Sequence, residues 1–208
     1  CIFQGEDALM YVARILYPVE VLGPGKRVGI WFCGCSKRCK GCSNPELWEF
    51  NDRYKTSPQA VFSLVKMITD SYPVDGFTIT GGDPMLQPDS LKALLKMLCK
   101  ISSDILVYTG FKIDEINESY LDNISVLIDG EYVEDQNDGC VLRGSRNQKI
   151  HILDDNVHNK YESYLENATN KIQNFSTSDG IVSVGIHKPN FINEFNSNVS
   201  KKGLIIDE

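Results

Sequence analysis

The chain has 208 residues, 42% of them hydrophobic and 24% charged, a balance that excludes a disordered or fibrous chain and fits one globular domain. Acidic residues outnumber basic ones 28 to 21, for a net charge of −7, which argues against general nucleic-acid binding, because phosphate affinity rests on clustered Lys and Arg. No apolar run approaches the roughly 20 residues needed to cross a bilayer. The start, "CIFQGEDALM", opens on Cys1 rather than Met and lacks a basic flank ahead of an apolar stretch, so a cytoplasmic protein is expected.

In chain order, six short β-rich runs stop abruptly: "VGIWF" before Cys33, "GFTIT" before Gly81, "DILVY" before Thr109, "SVLI" before Asp129, "QKIHIL" before Asp154 and "GIVSVGI" before His187. Helical spacing lies between them. Ser57-Pro58 opens "QAVFSLVKMITDSY", whose Val61, Leu64, Val65 and Ile68 form an i, i+3, i+4, i+7 stripe. The same reading suits "PDSLKALLKMLCKI", "KYESYLENATNKIQNF" and, more weakly, "KPNFINEFNSNVSKK". Strands alternating with helices predict an α/β fold with a parallel sheet, and six such strands an open, partial (βα)6-type barrel. The expected unit is a single domain over residues 1–208, with a core at about 21–154 and a C-terminal βα extension at about 155–208. Residues 130–148, polar and glycine-containing, read as irregular. The unusual residues sit just after strands: cysteines after the first, "GGDP" after the second, "TG" after the third, "DG" after the fourth. Ligand sites of parallel α/β folds gather at these strand ends, so one site is expected.

Four of the seven cysteines fall within "CGCSKRCKGC", residues 33–42. Structural disulfides are disfavoured in the cytosol, and Cys33 is too close to Cys35 for an easy bridge. Zinc sites usually pair two short cysteine hooks across a longer loop, whereas all four thiols here share one hook. The spacing C-x3-C-x2-C, from Cys35 to Cys39 to Cys42, suits three corners of a [4Fe-4S] cluster with one iron left open, which makes Cys33 a spare. Lys26, Arg27, Lys37, Arg38 and Lys40 crowd this stretch, and no Asp or Glu occurs between Glu20 and Glu46. They read either as a solvated face or as a docking surface for an acidic redox partner such as a flavodoxin- or ferredoxin-like reductant.

The stretch "GCSKRCKGCSNPELW" resembles the cluster loop of radical S-adenosylmethionine (SAM) enzymes, most of all that of the small activating enzymes of anaerobic ribonucleotide reductase. "GGDP", "LIDGEYVED" and "LRGSRNQKIH" resemble that family's later motifs, in order, over about Val21 to Asp154. Gly41 stands where many radical SAM enzymes carry an aromatic residue and these activating enzymes carry Gly. The resemblance implies reductive cleavage of SAM to a 5′-deoxyadenosyl radical and, from it, a glycyl radical on a partner enzyme. It implies that Cys35, Cys39 and Cys42 hold the cluster and that Gly81, Gly82, Asp83 and Pro84 cradle the methionine end of SAM. Gly81 and Gly82 would let the backbone come close, and Asp83 would add charge beside the ammonium. Asp129 and Arg143 are candidates for polar contacts to SAM, or equally for structural ion pairs. Tyr108 and Trp48 are candidates for stacking on adenine, or for the core. Cys99 and Cys140 read as small buried hydrophobes, with a thiol role open for Cys140, and His151, His158 and His187 as structural or exposed. Two further functions stay open: a radical SAM paralogue acting on a peptide or small molecule, and a non-catalytic iron–sulfur or zinc module.

Overall fold

The computed structural model describes residues 9–177, 180–189 and 191–201. Its main sheet is built from β1 (Met10–Val19), β2 (Arg27–Phe32), β3 (Lys55–Thr56), β4 (Gly76–Gly81), β5 (Ile105–Tyr108), β6 (Val126–Asp129) and β7 (Lys149–Ile152). They lie in the order β3-β1-β2-β4-β5-β6-β7. The four central strands, β2, β4, β5 and β6, run parallel, while β1, β3 and β7 pair antiparallel at the edges.

Local signals account for the helices. In α1 (Pro58–Ser71) the Ser57 hydroxyl accepts a hydrogen bond from the Ala60 amide at 3.2 Å, and Pro58 occupies the first turn, where its missing N–H costs nothing. Val61 and Val65 are buried, but Leu64 is 54% exposed, so the core stripe is narrower than the spacing predicts. In α2 (Pro88–Leu98), Leu91, Leu94, Leu95 and Leu98 are fully buried, each contributing roughly 1.5–3 kcal/mol of burial. Strand alternation divides the core between two faces. Val28, Ile30, Phe32, Phe77, Ile79, Ile105 and Val107 meet α1 and α2 on one side. Leu106, Val126 and Ile128 meet Val157 and Tyr161 on the other, near the start of α3 (His158–Asn167).

The α/β class holds, but the expected six parallel strands do not form. The "QKIHIL" run becomes β7, which turns back antiparallel to β6 because residues 130–148 contain only one 3-10 turn, Glu134–Gln136, and no crossover helix. "GIVSVGI" leaves the main sheet. It is β9 (Gly180–Gly185), paired antiparallel with β8 (Ile172–Thr177), as two residues between strands require. The tail of the predicted "KYESYLENATNKIQNF" helix is therefore strand: α3 ends at Asn167 and β8 begins at Ile172. The weak helical reading near the C-terminus forms α4 (Phe191–Lys201). The hairpin packs through Val184, 3% exposed, against Val19, Leu22, Trp31 and Leu47. No helix among the described residues is long and apolar enough to cross a membrane.

Candidate metal centre

The carboxyl ends of β2, β4, β5 and β6 surround one cavity of about 170 Å³. Cys35, Cys39 and Cys42 line it from the loop after β2, Gly81, Gly82 and Asp83 from the end of β4, Tyr108 and Thr109 from β5, and Gly130 from β6. The root of the cysteine loop is bolted down by backbone hydrogen bonds. Gly34 N donates to Leu47 O at 2.8 Å, Cys35 N to Trp48 O at 2.8 Å, and Asp83 N to Gly34 O at 2.7 Å. Within the loop, Arg38 and Gly41 take left-handed conformations, φ 49° and 73°, which a single unbranched turn cannot avoid when it curls back on itself. A side chain at Gly41 would also meet Glu134, so the fold itself calls for glycine there.

Cys33 is separate from the other three thiols. It is fully buried, its Sγ donates to Glu49 O at 2.7 Å, and it does not line the cavity. Burial pushes the Cys39 and Cys42 thiols up; Cys42 and Cys35 push Cys39 further and Cys35 pushes Cys42 further, so the three sulfurs share one electrostatic neighbourhood. On Cys42, hydrogen bonds from Asn44 and Trp48 pull the other way. A thiolate-binding metal group would offset the burial and repulsion that disfavour the thiolates of Cys39 and Cys42. Among the described residues no three His, Cys, Asp or Glu side chains are placed to share one ion. A mononuclear zinc draws its sulfurs to about 2.3 Å from a single point, whereas a cubane spreads them over separate iron corners. Three thiols of one loop facing one cavity are a donor set that a cluster could use.

Asp83 lines the cavity but turns its carboxylate inward. It is 1% exposed and accepts from Thr109 Oγ1 at 2.8 Å, Gly110 N at 2.9 Å and Met85 N at 3.0 Å. It clamps the ends of β4 and β5 together, and burial raises its pKa despite those bonds. Pro84 is buried at the start of the 3-10 turn that follows. Gly81 has φ 115°, and a Cβ there would strike the Phe32 backbone. Gly82 backs onto Gly34, whose carbonyl a Cβ would meet. Gly82→Val is therefore expected to disturb the root of the cysteine loop as well as any SAM contact, at an overpacking cost of about 1–3 kcal/mol. Iron uptake and SAM binding measured side by side check this, and normal iron uptake in the variant would refute the packing argument.

Tyr108 lines the cavity, its hydroxyl donating to Leu142 O at 2.8 Å, and Trp48 lines it too. Asp129 and Arg143 are not among the lining residues. The Asp129 carboxylate accepts from Ile113 N at 2.8 Å and Lys149 N at 3.3 Å and stands 3.1 Å from His151 Nε2. Arg143 pairs with Asp138 at 2.9 Å and approaches Cys140 Sγ at 3.3 Å. Cys99 is half-buried against the core beneath α2, and Cys140 is half-buried in the irregular segment.

The basic patch is altered by the fold. Arg27 is fully buried beneath the sheet. Lys37 pairs with Glu131 at 3.1 Å, Lys40 with Glu134 at 3.1 Å, and Arg38 with Glu49. Sequence reasoning missed Ser43 and the segment Ser183–His187, all of which line the cavity. The one sequence signal for His187 was its place directly after the β-rich run "GIVSVGI", although that run forms an antiparallel hairpin strand and not a strand of the parallel sheet.

A three-thiol loop opening on the carboxyl edge of parallel strands is the arrangement of an α/β metal-cluster protein. The family model for the 4Fe-4S single cluster domain matches residues 21–151. The anaerobic ribonucleoside-triphosphate reductase-activating protein of Escherichia coli K12 is 34% identical over 148 residues, 66% of this chain and 96% of that protein. The proteins of the same name from Haemophilus influenzae and Enterobacteria phage T4 are 35% and 32% identical, over 65% and 68% of this chain and 94% of each relative. The chain belongs to this family of single-cluster 4Fe-4S proteins, together with the activating proteins of anaerobic ribonucleoside-triphosphate reductase.

Proposed function

We propose that this protein is a radical SAM enzyme that activates an anaerobic ribonucleotide reductase by raising a glycyl radical on it. The observation that carries the reading is the meeting of Cys35, Cys39 and Cys42 with Gly81, Gly82 and Tyr108 around one cavity at the parallel strand ends. The relatives' names supply the partner. A cluster held there would supply the one-electron chemistry of reductive SAM cleavage, to methionine and the 5′-deoxyadenosyl radical needed to draw a hydrogen atom from a glycine of the partner.

The chain's own residues do the positioning. Cys35, Cys39 and Cys42 would hold the cluster, and Cys33, buried away from the cavity, would take no part. The bare backbone of Gly81 and Gly82, with Asp83 and Pro84 fixing the turn behind it, makes room for the methionine end of SAM. Tyr108, held by Leu142, offers a flat wall to the adenine. Asp129 serves by holding the strand end before Gly130, while Arg143 is taken up by Asp138 away from the cavity. A flavodoxin- or ferredoxin-like donor would have to compete with Glu131, Glu49 and Glu134 for Lys37, Arg38 and Lys40.

A second reading is favoured by one feature: β9 and the residues that follow it, Ser183 to His187, lie beyond the family match and wall part of the cavity, as suits a paralogue acting on a peptide or small molecule. Anaerobic reconstitution with SAM and a reductant, followed by assay of 5′-deoxyadenosine, is expected to show cleavage. Adding anaerobic ribonucleotide reductase should yield a glycyl radical doublet by EPR. Cleavage without a protein radical would favour the second reading, and stoichiometric zinc with no iron would refute both.

A further inference from the structure

We infer that His187 is a positioning residue for the cluster loop, and that the C-terminal hairpin carrying it latches the outer wall of the site; this rests on the assignment of a cluster to Cys35, Cys39 and Cys42. The hairpin lies outside the family match, which ends at residue 151. It is nevertheless tied firmly to the core. Gln173 Nε2 donates to Pro18 O at 2.7 Å, Glu20 N donates to Gln173 Oε1 at 3.0 Å, and Val184 is buried beside Trp31 and Leu47. The backbone leaving β9 is held as well: Asn170 Nδ2 donates to Ile186 O and Asn137 Nδ2 to His187 O, both at 2.8 Å.

The His187 ring is thereby presented from a fixed frame. Its Nε2 lies 2.9 Å from Ser183 Oγ, its Nδ1 lies 3.2 Å from Ser43 Oγ, and the Phe191 ring packs 4.1 Å from it. A neutral imidazole has one donor and one acceptor nitrogen, and each serine hydroxyl can serve either, so the bridge from Ser183 through His187 to Ser43 is satisfied in both tautomers. Ser43 is otherwise exposed and directly follows Cys42. Pinning it fixes the chain that leaves the third thiol, whose Sγ accepts from Asn44 N at 3.4 Å. Groups one layer behind the ligands orient them and set how readily metal is lost.

The same ring is also a partition. Cys42, Ser43, Tyr132 and His187 line both the main cavity and a second one, about 180 Å³, on the outer side toward Gly41, Glu134 and Phe191. The contact between His187 and Ser43 closes the wall between the two. Removing it would loosen the loop and open a short path from solvent to the thiols at once.

The test uses the full chain, reconstituted anaerobically, with iron release to ferrozine followed at its visible absorbance. His187→Ala and Ser43→Ala are each expected to release iron about tenfold faster than the parent, the lower end of the range for losing such a supporting group. The double variant should be no faster than either single one, because both remove one shared bond. His187→Gln, which keeps an amide donor and acceptor in the gap, should restore most of the retention, and urea midpoints of the apo-proteins should stay together. Release rates within about twofold of the parent in both single variants, or additive effects in the double, would overturn the latch. A parent chain that takes up no iron would instead refute the cluster assignment.

Discussion

Serine at Cys35, Cys39 or Cys42 abolishes cluster binding, and serine at Cys33 leaves it intact: this is the expected outcome of four single variants reconstituted anaerobically. Only the first three cysteines line the cavity; Cys33 is buried behind it and spends its S–H on Glu49 O. A serine hydroxyl at position 33 can donate to the same carbonyl, so the change costs no more than about 1 kcal/mol of net hydrogen bonding. Iron and sulfide content with Mössbauer or EPR spectra decide the matter. Loss of the cluster in Cys33→Ser, together with its survival in Cys35→Ser, would reverse the assignment.

The largest stability effect is expected far from the site, at Asp104. Its carboxylate accepts from Arg27 Nη2 at 2.9 Å, Tyr161 OH at 2.8 Å and Lys160 Nζ at 2.5 Å. Arg27 is fully buried and also donates to Thr78 Oγ1 at 2.7 Å and Phe77 O at 2.5 Å. Asp104→Ala strands that guanidinium without a counter-charge, an expected loss of about 3–5 kcal/mol. Burial alone would raise the carboxyl pKa, but Arg27, Lys160 and Tyr161 outweigh it and hold it below the usual carboxylate range. The folded state therefore binds fewer protons than the unfolded state at acid pH. This contribution is complete above the unfolded pKa, about 4, and is lost as pH falls through the depressed folded value. Urea midpoints measured across the acid range should fall for the parent and stay flatter for Asp104→Ala. An equal acid slope in the two would show that the network carries no such linkage.

The sequence by itself determined what depends on near neighbours. Ser57-Pro58 starts α1, four leucines at helical spacing place α2 on the sheet, and three cysteines within eight positions mark the cluster loop. Each is a signal read within one or two turns of chain. Even the shared site was legible, because residues that end parallel strands come together at one edge. Strand direction and partnership were not. The run "MYVARILYPV" went unread because it lies one strand in from the sheet edge, covered there only by the two-residue β3, and is half-buried along most of its length, with no clean alternation. "QKIHIL" and "GIVSVGI" have the composition of buried parallel strands, yet one turns back because no crossover helix forms in residues 130–148 and the other pairs with its neighbour across a short turn, so the connection rather than the composition sets direction. Arg27 looked like part of a basic surface until packing placed it under Asp104. His187 meets Ser43 across 144 residues of chain. Such contacts are decided only when β1, the hairpin and the cysteine loop pack on Trp31 and Leu47, because a hydrogen bond between distant segments forms where the burial of their apolar neighbours brings them together.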